Sequence, residues 1–281
     1  MPKVDVNKKR GYEASVPVEK IWSKLESGEI DKNCCIPLGQ NEKKEDRSID
    51  LKRSMHILAS GGALSGVGMF RRVTLATLLK FNKPEDLKFI LIDPLKISLF
   101  HFKNIDKYLV FPIITENEKA FEALEWARQE VERRYQLLSE SNSRNISVHN
   151  EKNNTKKIPR IVIMITELGE LMNFDGKKTE GLIIRIAQMT KALGIHFIIT
   201  TQRPSPLVLT PLIKTNMPSR IAFKTGNEEG SLAILDMVGA EKLLGQGDML
   251  VSDCYNDYEK VERMQGYCLE EEEVEKINFV Q

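Results

Sequence analysis

Short apolar runs alternate along the chain with longer stretches in which apolar residues recur every three or four positions. Continuous runs of Ile, Val and Leu are typical of strands buried on both faces of a sheet, whereas the longer spacing predicts amphipathic helices. The predicted strands are HILAS from His56, KFILIDP from Lys88, IPRIVIMITELGEL closed by Thr166-Glu167, and IHFIITTQRPS. The predicted helices are VEKIWSKLESGEI, MFRRVTLATLLKF, Glu116 to Glu140 and Lys177 to Lys191.

Two polar stretches interrupt this pattern. The charged run from Asn41 to Asp50 predicts a surface loop or hairpin, and the stretch from Ser141 to Lys157 predicts a loop. Buried strands separated by helices favour an α/β fold with a mostly parallel central sheet and helices on both faces. Ligands of such sheets bind beyond the carboxyl ends of the strands. We therefore expect the site at Ser60-Gly61-Gly62, Asp93, Thr166-Glu167 and Thr201-Gln202.

Composition narrows the functional classes. The chain has 281 residues, and its 41 Lys and Arg residues nearly balance its 40 Asp and Glu residues. Overall charge therefore gives no reason to expect binding to DNA or to an anionic membrane, and any DNA contact must come from a local patch. The four cysteines lack the CxxC spacing of zinc or redox sites. No apolar run is long enough for a membrane span, so we expect a cytoplasmic protein without a membrane segment.

A glycine loop follows the first predicted buried strand. A phosphate-binding P-loop has the pattern G-x-x-x-x-G-K-S/T between a strand and a helix, because backbone N–H groups surround the phosphates while lysine and a hydroxyl supply charge and a magnesium ligand. Residues Gly61 to Gly66 match the glycines, but Val67 and Gly68 stand where the lysine and hydroxyl belong. Taken alone, the loop is either a modified P-loop or a tight connection.

From His56 onward the sequence resembles the motor domain of the FtsK/SpoIIIE DNA translocases. The resemblance rests on HILASGG, FILIDP, IVIMITELGELM, GIHFIITTQRPS, LIKTNMPSRIAF and ILDMVGAEKLLGQGDML. It implies a RecA-like P-loop NTPase fold, ATP-driven movement of double-stranded DNA and a hexameric ring acting in chromosome segregation. It also implies two regions: residues 1–52, a lead-in remnant of a preceding domain, and residues 53–281, the motor domain.

The resemblance assigns roles to individual residues. Nucleotide binding falls to the loop and two strand ends: Gly61, Gly62, Ala63, Leu64, Ser65, Gly66, Val67, Gly68, Asp93 and Thr166. Catalytic roles fall to Glu167 as the water-activating carboxylate, Gln202 as the γ-phosphate sensor, and Arg220 as a contact to a neighbouring subunit's phosphates. DNA contacts fall to Lys177, Lys178 and Lys214, although Pro211 replaces a usual glycine near the last of these.

The departures from the family pattern fall on the chemistry. Val67, Gly68 and Thr166 replace lysine, serine and aspartate, and Leu95 and Ser98 replace a lysine and a glutamate after Asp93. Phosphoryl transfer depends on such charges, so we expect impaired or absent ATP hydrolysis, weak ATP or ADP binding and a lost magnesium site. Leu64 is expected to disturb the loop further, because its Cβ disfavours conformations open to glycine. The expected partners are double-stranded DNA and a homo-oligomeric ring or a mixed assembly with an active relative.

Alternatives remain open at this point. The chain could be an active translocase in which Arg71 or Arg72 replaces the lysine, or a relic without selected activity. Other residues have plainer interpretations: a solvated or packed helix face for Arg71 and Arg72, a turn former for Asp93, a solvated strand end for Glu167, an ion pair for Arg220, and solvated charges for Lys177, Lys178 and Lys214.

Overall fold

The computed structural model describes residues 15–153, 157–190, 192–253, 261–277 and 279. Cys254, Lys191 and most of the first fifteen residues, which belong to expectations stated above, lie outside this part of the chain. The strands are β1 (Val16–Pro17), β2 (Cys35–Asn41), β3 (Asp46–Asp50), β4 (Ile57–Ser60), β5 (Leu87–Ile92), β6 (Arg160–Ile165), β7 (Ile195–Thr201), β8 (Ser219–Phe223), β9 (Asp248–Ser252) and β10 (Glu262–Cys268).

Helices connect these strands. They are α1 (Glu19–Ser27), α2 (Leu51–Ser54), α3 (Val67–Phe81), α4 (Asn117–Glu140), α5 (Ile146–Lys152), α6 (Leu168–Met189), α7 (Pro211–Thr215), α8 (Glu228–Leu235) and α9 (Glu271–Val274), with two 3₁₀ turns at Asp106–Tyr108 and Ala240–Lys242. Among the described residues, no helix combines the length and the apolarity that a membrane crossing requires.

One ten-stranded sheet runs through the protein in the order β3-β2-β10-β9-β8-β4-β7-β6-β5, with β1 also paired to β10. Strands β5, β6, β7, β4 and β8 are parallel to one another, and strands β9, β10, β2 and β3 continue the sheet in antiparallel pairs. The predicted α/β class with a mostly parallel sheet is confirmed. The parallel half contains every strand predicted from an apolar run.

Helices cover both faces of the sheet because alternate residues of each strand point to opposite sides. On β6, Val162 and Met164 pack on the face covered by α1 and α3, whereas Ile161, Ile163 and Ile165 pack under α4 and α6. All seven residues of β7 are buried. This two-sided burial explains why the strands appear in the sequence as unbroken apolar runs.

The segment before His56 joins the same sheet. The charged run from Asn41 to Asp50 forms the end of β2, a turn and β3, which is the hairpin form of the prediction. Strand β2 pairs with β10 at Gly39 and Gly266, and a Cβ on Gly39 would lie 1.9 Å from the Gln265 carbonyl oxygen. The sheet is therefore continuous across residue 52.

Two helical predictions differ from the structure. The stretch 141–157, predicted to be a loop, contains α5, because the Asn145 side chain accepts the Val148 N–H at 3.0 Å and Ile146 is buried. Helix α6 begins at Leu168 rather than at Lys177, and it breaks at Asp175, which has φ −153° and ψ 87°. The Thr179 hydroxyl donates to the Leu171 carbonyl that the break releases, at 3.0 Å.

Two buried histidines lie at the amino ends of the parallel strands. The Phe197 N–H donates to His56 Nδ1 at 2.9 Å, so His56 Nε2 carries the proton and donates to the Ala187 carbonyl at 3.2 Å. Burial lowers the pKa of His56 to about 4 and places the pKa of His196 well below its ordinary value. Both rings are therefore neutral parts of the core at neutral pH.

Candidate functional site: the glycine loop and the adjacent strand ends

The glycine loop joins β4 to α3 at the centre of the parallel half, as the sequence predicts. Strand β4 lies between β7 and β8, and the loop is bonded to its neighbours on both sides. Gly62 N–H donates to the Lys224 carbonyl at 2.8 Å, and Gly247 N–H donates to the Ser65 carbonyl at 2.9 Å. The loop thus lies between the end of β8 and the start of β9.

Two residues of the loop, Leu64 and Gly66, have positive φ. Gly66 has φ 122°, and a Cβ there would lie 2.6 Å from the Gly247 nitrogen, so only glycine fits. Leu64 adopts the left-handed conformation with φ 58°, and its side chain is 95 % exposed. The Cβ of Leu64 does not prevent this conformation, because the side chain extends into solvent, but the backbone strain costs about 1–2 kcal/mol.

Val67 and Gly68 occupy the positions of the lysine and the hydroxyl residue of a P-loop, and neither side chain supplies a positive charge or a metal ligand. Val67 is buried among the apolar residues beneath the loop, and Gly68 is exposed and has no side chain. Helix α3 still begins at the loop, and its N-terminus has no side-chain cap. The loop therefore retains a helix N-terminus that favours an anion, without an ammonium or hydroxyl at positions 67 and 68.

Asp93 and Thr166 lie side by side at the ends of β5 and β6. The Thr166 hydroxyl donates to Asp93 Oδ1 at 2.8 Å, and Asp93 Oδ2 accepts the N–H groups of Ser98 at 2.9 Å and Leu99 at 3.2 Å. Asp93 is 2 % exposed. Its carboxylate forms the turn after β5, in agreement with the plainer of its two interpretations.

Glu167 is buried and accepts hydrogen bonds through both carboxylate oxygens. One carboxylate oxygen accepts the Gly169 N–H at 3.1 Å and the Thr201 hydroxyl, and the other accepts the Gln202 N–H at 2.8 Å. The side chain thereby caps α6 and joins it to the end of β7. The interpretation of Glu167 as a solvated strand end is wrong, since only 3 % of the residue is exposed.

We call the edge of the sheet where β4, β5, β6 and β7 end the loop edge, or simply the edge. Arg71 supplies a buried positive charge there. Its Nη1 donates to the Thr166 carbonyl at 2.6 Å and to the Thr200 hydroxyl at 3.2 Å, and its Nη2 donates to the Ser98 hydroxyl at 3.0 Å. Burial lowers the pKa of Arg71, and the negative charges of Asp93 and Glu167 oppose that shift. The guanidinium connects the loop after β5 with the ends of β6 and β7.

Arg72 points elsewhere. Its guanidinium donates to the Leu269 carbonyl at 2.9 Å and forms an ion pair with Glu271 of α9. Both arginines that were considered as replacements for the missing lysine therefore have partners inside the protein.

The remaining predicted residues lie apart from the loop. Arg220 is in register with Leu58 near the start of β4, and its guanidinium pairs with Asp236 at 2.5 Å, the plainer of its two interpretations. Lys214 pairs with the same carboxylate at 2.5 Å. Although burial raises it, hydrogen bonds from Lys214 and Arg220 lower the pKa of Asp236 overall. Lys177 is exposed on α6, and the Lys178 ammonium lies 4.6 Å from the centre of the Phe121 ring.

Several residues that shape the edge were missed by sequence reasoning. Thr200 was not predicted, and Thr201 was expected at the site only as a strand end; the Thr200 hydroxyl accepts a hydrogen bond from Arg71, and the Thr201 hydroxyl donates one to Glu167. Gly247 contacts the loop backbone directly. The Gly245-Gln246-Gly247 cluster before β9, in which all three residues have positive φ, was the available signal.

The carboxylates at this edge of the sheet are engaged in hydrogen bonds within the fold. Asp93 and Glu167 are occupied by hydrogen bonds from the protein, and the Thr166 hydroxyl is a donor to Asp93. Over the residues that the structure describes, no group of three or more His, Cys, Asp and Glu side chains is arranged to hold a metal ion.

A central parallel strand, a glycine loop, the helix that follows it, and polar residues at the ends of the adjacent strands define the RecA-like P-loop ATPase fold. The model of the FtsK/SpoIIIE family matches residues 23–206. The chain belongs to the FtsK/SpoIIIE family of DNA translocases.

Individual relatives agree with this assignment. The chain is 39 % identical to the DNA translocase FtsK of Clostridium tetani over 93 % of its own length and 35 % of that protein. It is 37 % identical to the DNA translocase SpoIIIE of Bacillus subtilis over 94 % of its length and 34 % of that protein. The chain thus spans about a third of the length of these curated relatives.

Among solved structures, the chain is similar to the conjugation coupling protein TcpA of pCW3, solved as a monomer with ATPγS. The TM-score is 0.80 at 25 % sequence identity, over 95 % of this chain and 74 % of TcpA.

Proposed function

We propose that this chain is an FtsK/SpoIIIE-type motor domain that retains weak nucleotide binding and DNA binding but hydrolyses ATP poorly or not at all. The main support for the proposal comes from four residues around the glycine loop. Val67 and Gly68 have neither a charge nor a hydroxyl group, and the side chains of Thr166 and Glu167 form hydrogen bonds within the fold. Loss of one preorganised electrostatic group typically lowers a rate by about 10²–10³-fold, so three losses lower it much further.

Weak nucleotide binding is supported by the backbone of the loop. Residues 61–66 keep the strand-to-helix turn, and the N-terminus of α3 still favours an anion. Without an ammonium at position 67, binding depends on backbone N–H groups alone. We therefore expect ATP and ADP to bind weakly and with little dependence on magnesium.

The hydrolysis test measures phosphate release with saturating double-stranded DNA in the parent chain and in Glu167→Ala. We expect the same background rate from both, because Glu167 caps α6 and holds the end of β7. DNA-stimulated turnover in the parent that Glu167→Ala abolishes would instead establish an active translocase. Circular dichroism of Glu167→Ala checks that its fold is retained.

The binding test compares the parent with a variant that carries Leu64→Gly, Val67→Lys, Gly68→Ser and Thr166→Asp. Thr166→Asp places a second carboxylate beside Asp93, where the threonine hydroxyl lies 2.8 Å away. Repulsion between the two carboxylates favours a cation between them. Calorimetry is expected to show tighter, magnesium-dependent ATP binding by the variant. Equal ATP affinities in the parent and the variant would refute the proposal that the replaced residues weaken ATP binding.

DNA binding is proposed for Lys177, Lys178 and Lys214, acting on phosphates without reading sequence. Lys177 is exposed on α6, whereas Lys214 must leave Asp236 to reach DNA. In a gel-shift assay at low salt, Lys177→Ala is expected to weaken binding of double-stranded DNA more than Lys20→Ala on α1. Equal binding by the two variants would remove Lys177 from the DNA surface.

The assembly and setting are proposed from the family. We propose a homo-oligomeric ring or a mixed assembly with an active relative, in cytoplasmic DNA transport such as chromosome segregation. Analytical ultracentrifugation with and without double-stranded DNA tests the assembly, and a monomer under both conditions would contradict it.

A further inference from the structure

A groove of about 740 Å³ lies between helices α4 and α6, away from the glycine loop. Its walls combine aromatic rings with carboxylates, namely Phe121, Trp126 and Phe174 together with Glu118, Glu122 and Asp175. We call it the α4–α6 groove. Lys178 also lines the groove and belongs to the proposed DNA-binding set, whereas the other six residues belong to none of the sets discussed above.

The floor of the groove is aromatic. The Phe121 and Phe174 rings lie 5.7 Å apart, and Trp126 packs edge-on against Phe111 with ring centres 5.4 Å apart. Phe174 is 49 % exposed although Phe121 beneath it is only 5 % exposed. One aromatic face is therefore available to a ligand on a floor that packing holds in place.

The break in α6 fixes the position of one wall. Asp175 leaves the helical conformation, and its Oδ1 accepts the Lys178 N–H at 3.0 Å, which starts the second part of the helix. The Thr179 hydroxyl donates to the Leu171 and Asp175 carbonyls. These hydrogen bonds hold the backbone at the break, and with it Phe174 and Asp175 in the wall of the groove.

The rim carries unpaired negative charge. Glu118 and Glu122 lie one turn apart on α4, both are exposed, and within the described part of the chain neither has a hydrogen-bond or ion-pair partner. Glu125 is different, because it pairs with Arg128 at 2.6 Å. Two neighbouring free carboxylates above aromatic rings attract cations and repel phosphates.

The groove already contains one ammonium over an aromatic ring. Lys178 Nζ lies 4.6 Å from the centre of the Phe121 ring, the distance of a cation–π contact. Phe174 next to it presents an exposed ring, over which no cation from the described residues lies. The arrangement is suited to a second cation that stacks on Phe174 and pairs with Glu118 and Glu122.

We propose that the α4–α6 groove binds a basic peptide segment of a partner protein. An arginine or lysine side chain of that segment stacks on Phe174, and the carboxylates of Glu118 and Glu122 neutralise the positive charges around it. Charge complementarity selects this occupant over nucleic acid, whose phosphates the same carboxylates repel. Lys178 then serves the groove through its contact with Phe121, and the proposed DNA contacts fall to Lys177 and Lys214. The proposal is independent of whether the chain hydrolyses ATP.

The test uses the peptide acetyl-Gly-Arg-Lys-Arg-Leu-Arg-Gly-amide, titrated into the full chain by calorimetry. In parallel, Trp22→Phe leaves Trp126 as the single tryptophan, so its fluorescence reports on the groove directly. We expect saturable binding with a change in Trp126 emission. Glu118→Gln with Glu122→Gln is expected to weaken binding at least about tenfold, and Phe174→Ala more than Phe174→Tyr.

The matched control is Glu228→Gln with Glu229→Gln, which removes two exposed carboxylates from α8. Unchanged affinity in this control, with weakening in the groove variant, supports the proposal. Equal weakening in both variants means non-specific attraction and overturns it, as does an absence of saturable binding. A Trp126 response to double-stranded DNA that the groove variant strengthens would identify a nucleic-acid surface instead.

Discussion

The edge around the glycine loop and the α4–α6 groove use charged residues in opposite ways. At the edge, Asp93, Glu167 and Arg71 are buried, and each is hydrogen-bonded within the protein. At the groove, Glu118 and Glu122 are exposed and available. The comparison teaches that a motif marks where a family's chemistry is located, while the contacts show whether the charges there are free to act on a ligand.

The largest expected effect comes from Arg71→Met, which removes the cation that joins the strand ends. The Thr200 hydroxyl loses its donor inside the fold, and the Thr166 carbonyl loses one of two donors and keeps the Thr200 hydroxyl at 2.7 Å. We expect the free energy of unfolding to fall by about 2–4 kcal/mol in urea titrations. Arg72→Met is the control, and its partly exposed pair with Glu271 is expected to contribute at most about 1 kcal/mol.

Equal losses of unfolding free energy in Arg71→Met and Arg72→Met would contradict the comparison. The buried arginine at the edge would then contribute no more to stability than the partly exposed one. A loss confined to Arg71→Met would sharpen it. Glu118→Gln, from the groove, should leave the free energy of unfolding almost unchanged, since the residue is exposed.

The second effect is a loss of stability at acidic pH, caused by protonation of the buried His56. It sets the pH range in which the two regions can be compared. The pKa of His56 is about 4 in the folded state, against about 6.5 when unfolded, so the unfolded state binds more protons between these values. Stability from the neutral ring is present above pH 6.5 and is lost as pH falls towards 4. We expect a loss of about 2 kcal/mol from His56 between pH 7 and pH 5, measured by urea titration.

His196, whose pKa is also lowered by burial, adds to this loss. His56→Gln is expected to flatten the pH dependence, whatever its effect on stability at pH 7. An equally steep dependence in that variant would show that other groups control acid unfolding. Peptide binding to the groove is therefore best measured above pH 6.5.

The smallest effect concerns Leu64, whose left-handed backbone is strained and whose side chain contacts solvent. Leu64→Gly is expected to raise the free energy of unfolding by about 0.5–1 kcal/mol, since the relief of strain exceeds the entropy that glycine loses on folding. Leu207→Gly is the control, because Leu207 is 85 % exposed without positive φ. Thermal melts that show no difference between the two variants would contradict the strain at Leu64.

The sequence predicted the parts of the fold that depend on local pattern. The apolar runs at β4, β5, β6 and β7 and the glycines between β4 and α3 were sufficient to predict the parallel half and the place of the loop. The direction of Arg71, the use of Glu167 as a helix cap and the pairing of Arg220 with Asp236 depend on contacts between distant segments. Residue type alone leaves such choices open.

The groove shows the same limit. Phe121 and Trp126 belong to the predicted helix from Glu116 to Glu140, whereas Phe174 precedes the helix predicted from Lys177. The break at Asp175 and the crossing of α4 by α6 decide that Phe174 stays half exposed. Neither feature has a short-range signal beyond the Asp-Gly pair at 175 and 176.

The pairing of β2 with β10 has a consequence for how the protein folds as it is synthesised. Gly39 is in register with Gly266, so the early hairpin finds its neighbouring strand only after β10 has left the ribosome. Contacts between such distant segments slow folding, and until then one edge of the hairpin is open to pairing with other nascent chains. We expect chaperone dependence to be concentrated in that interval.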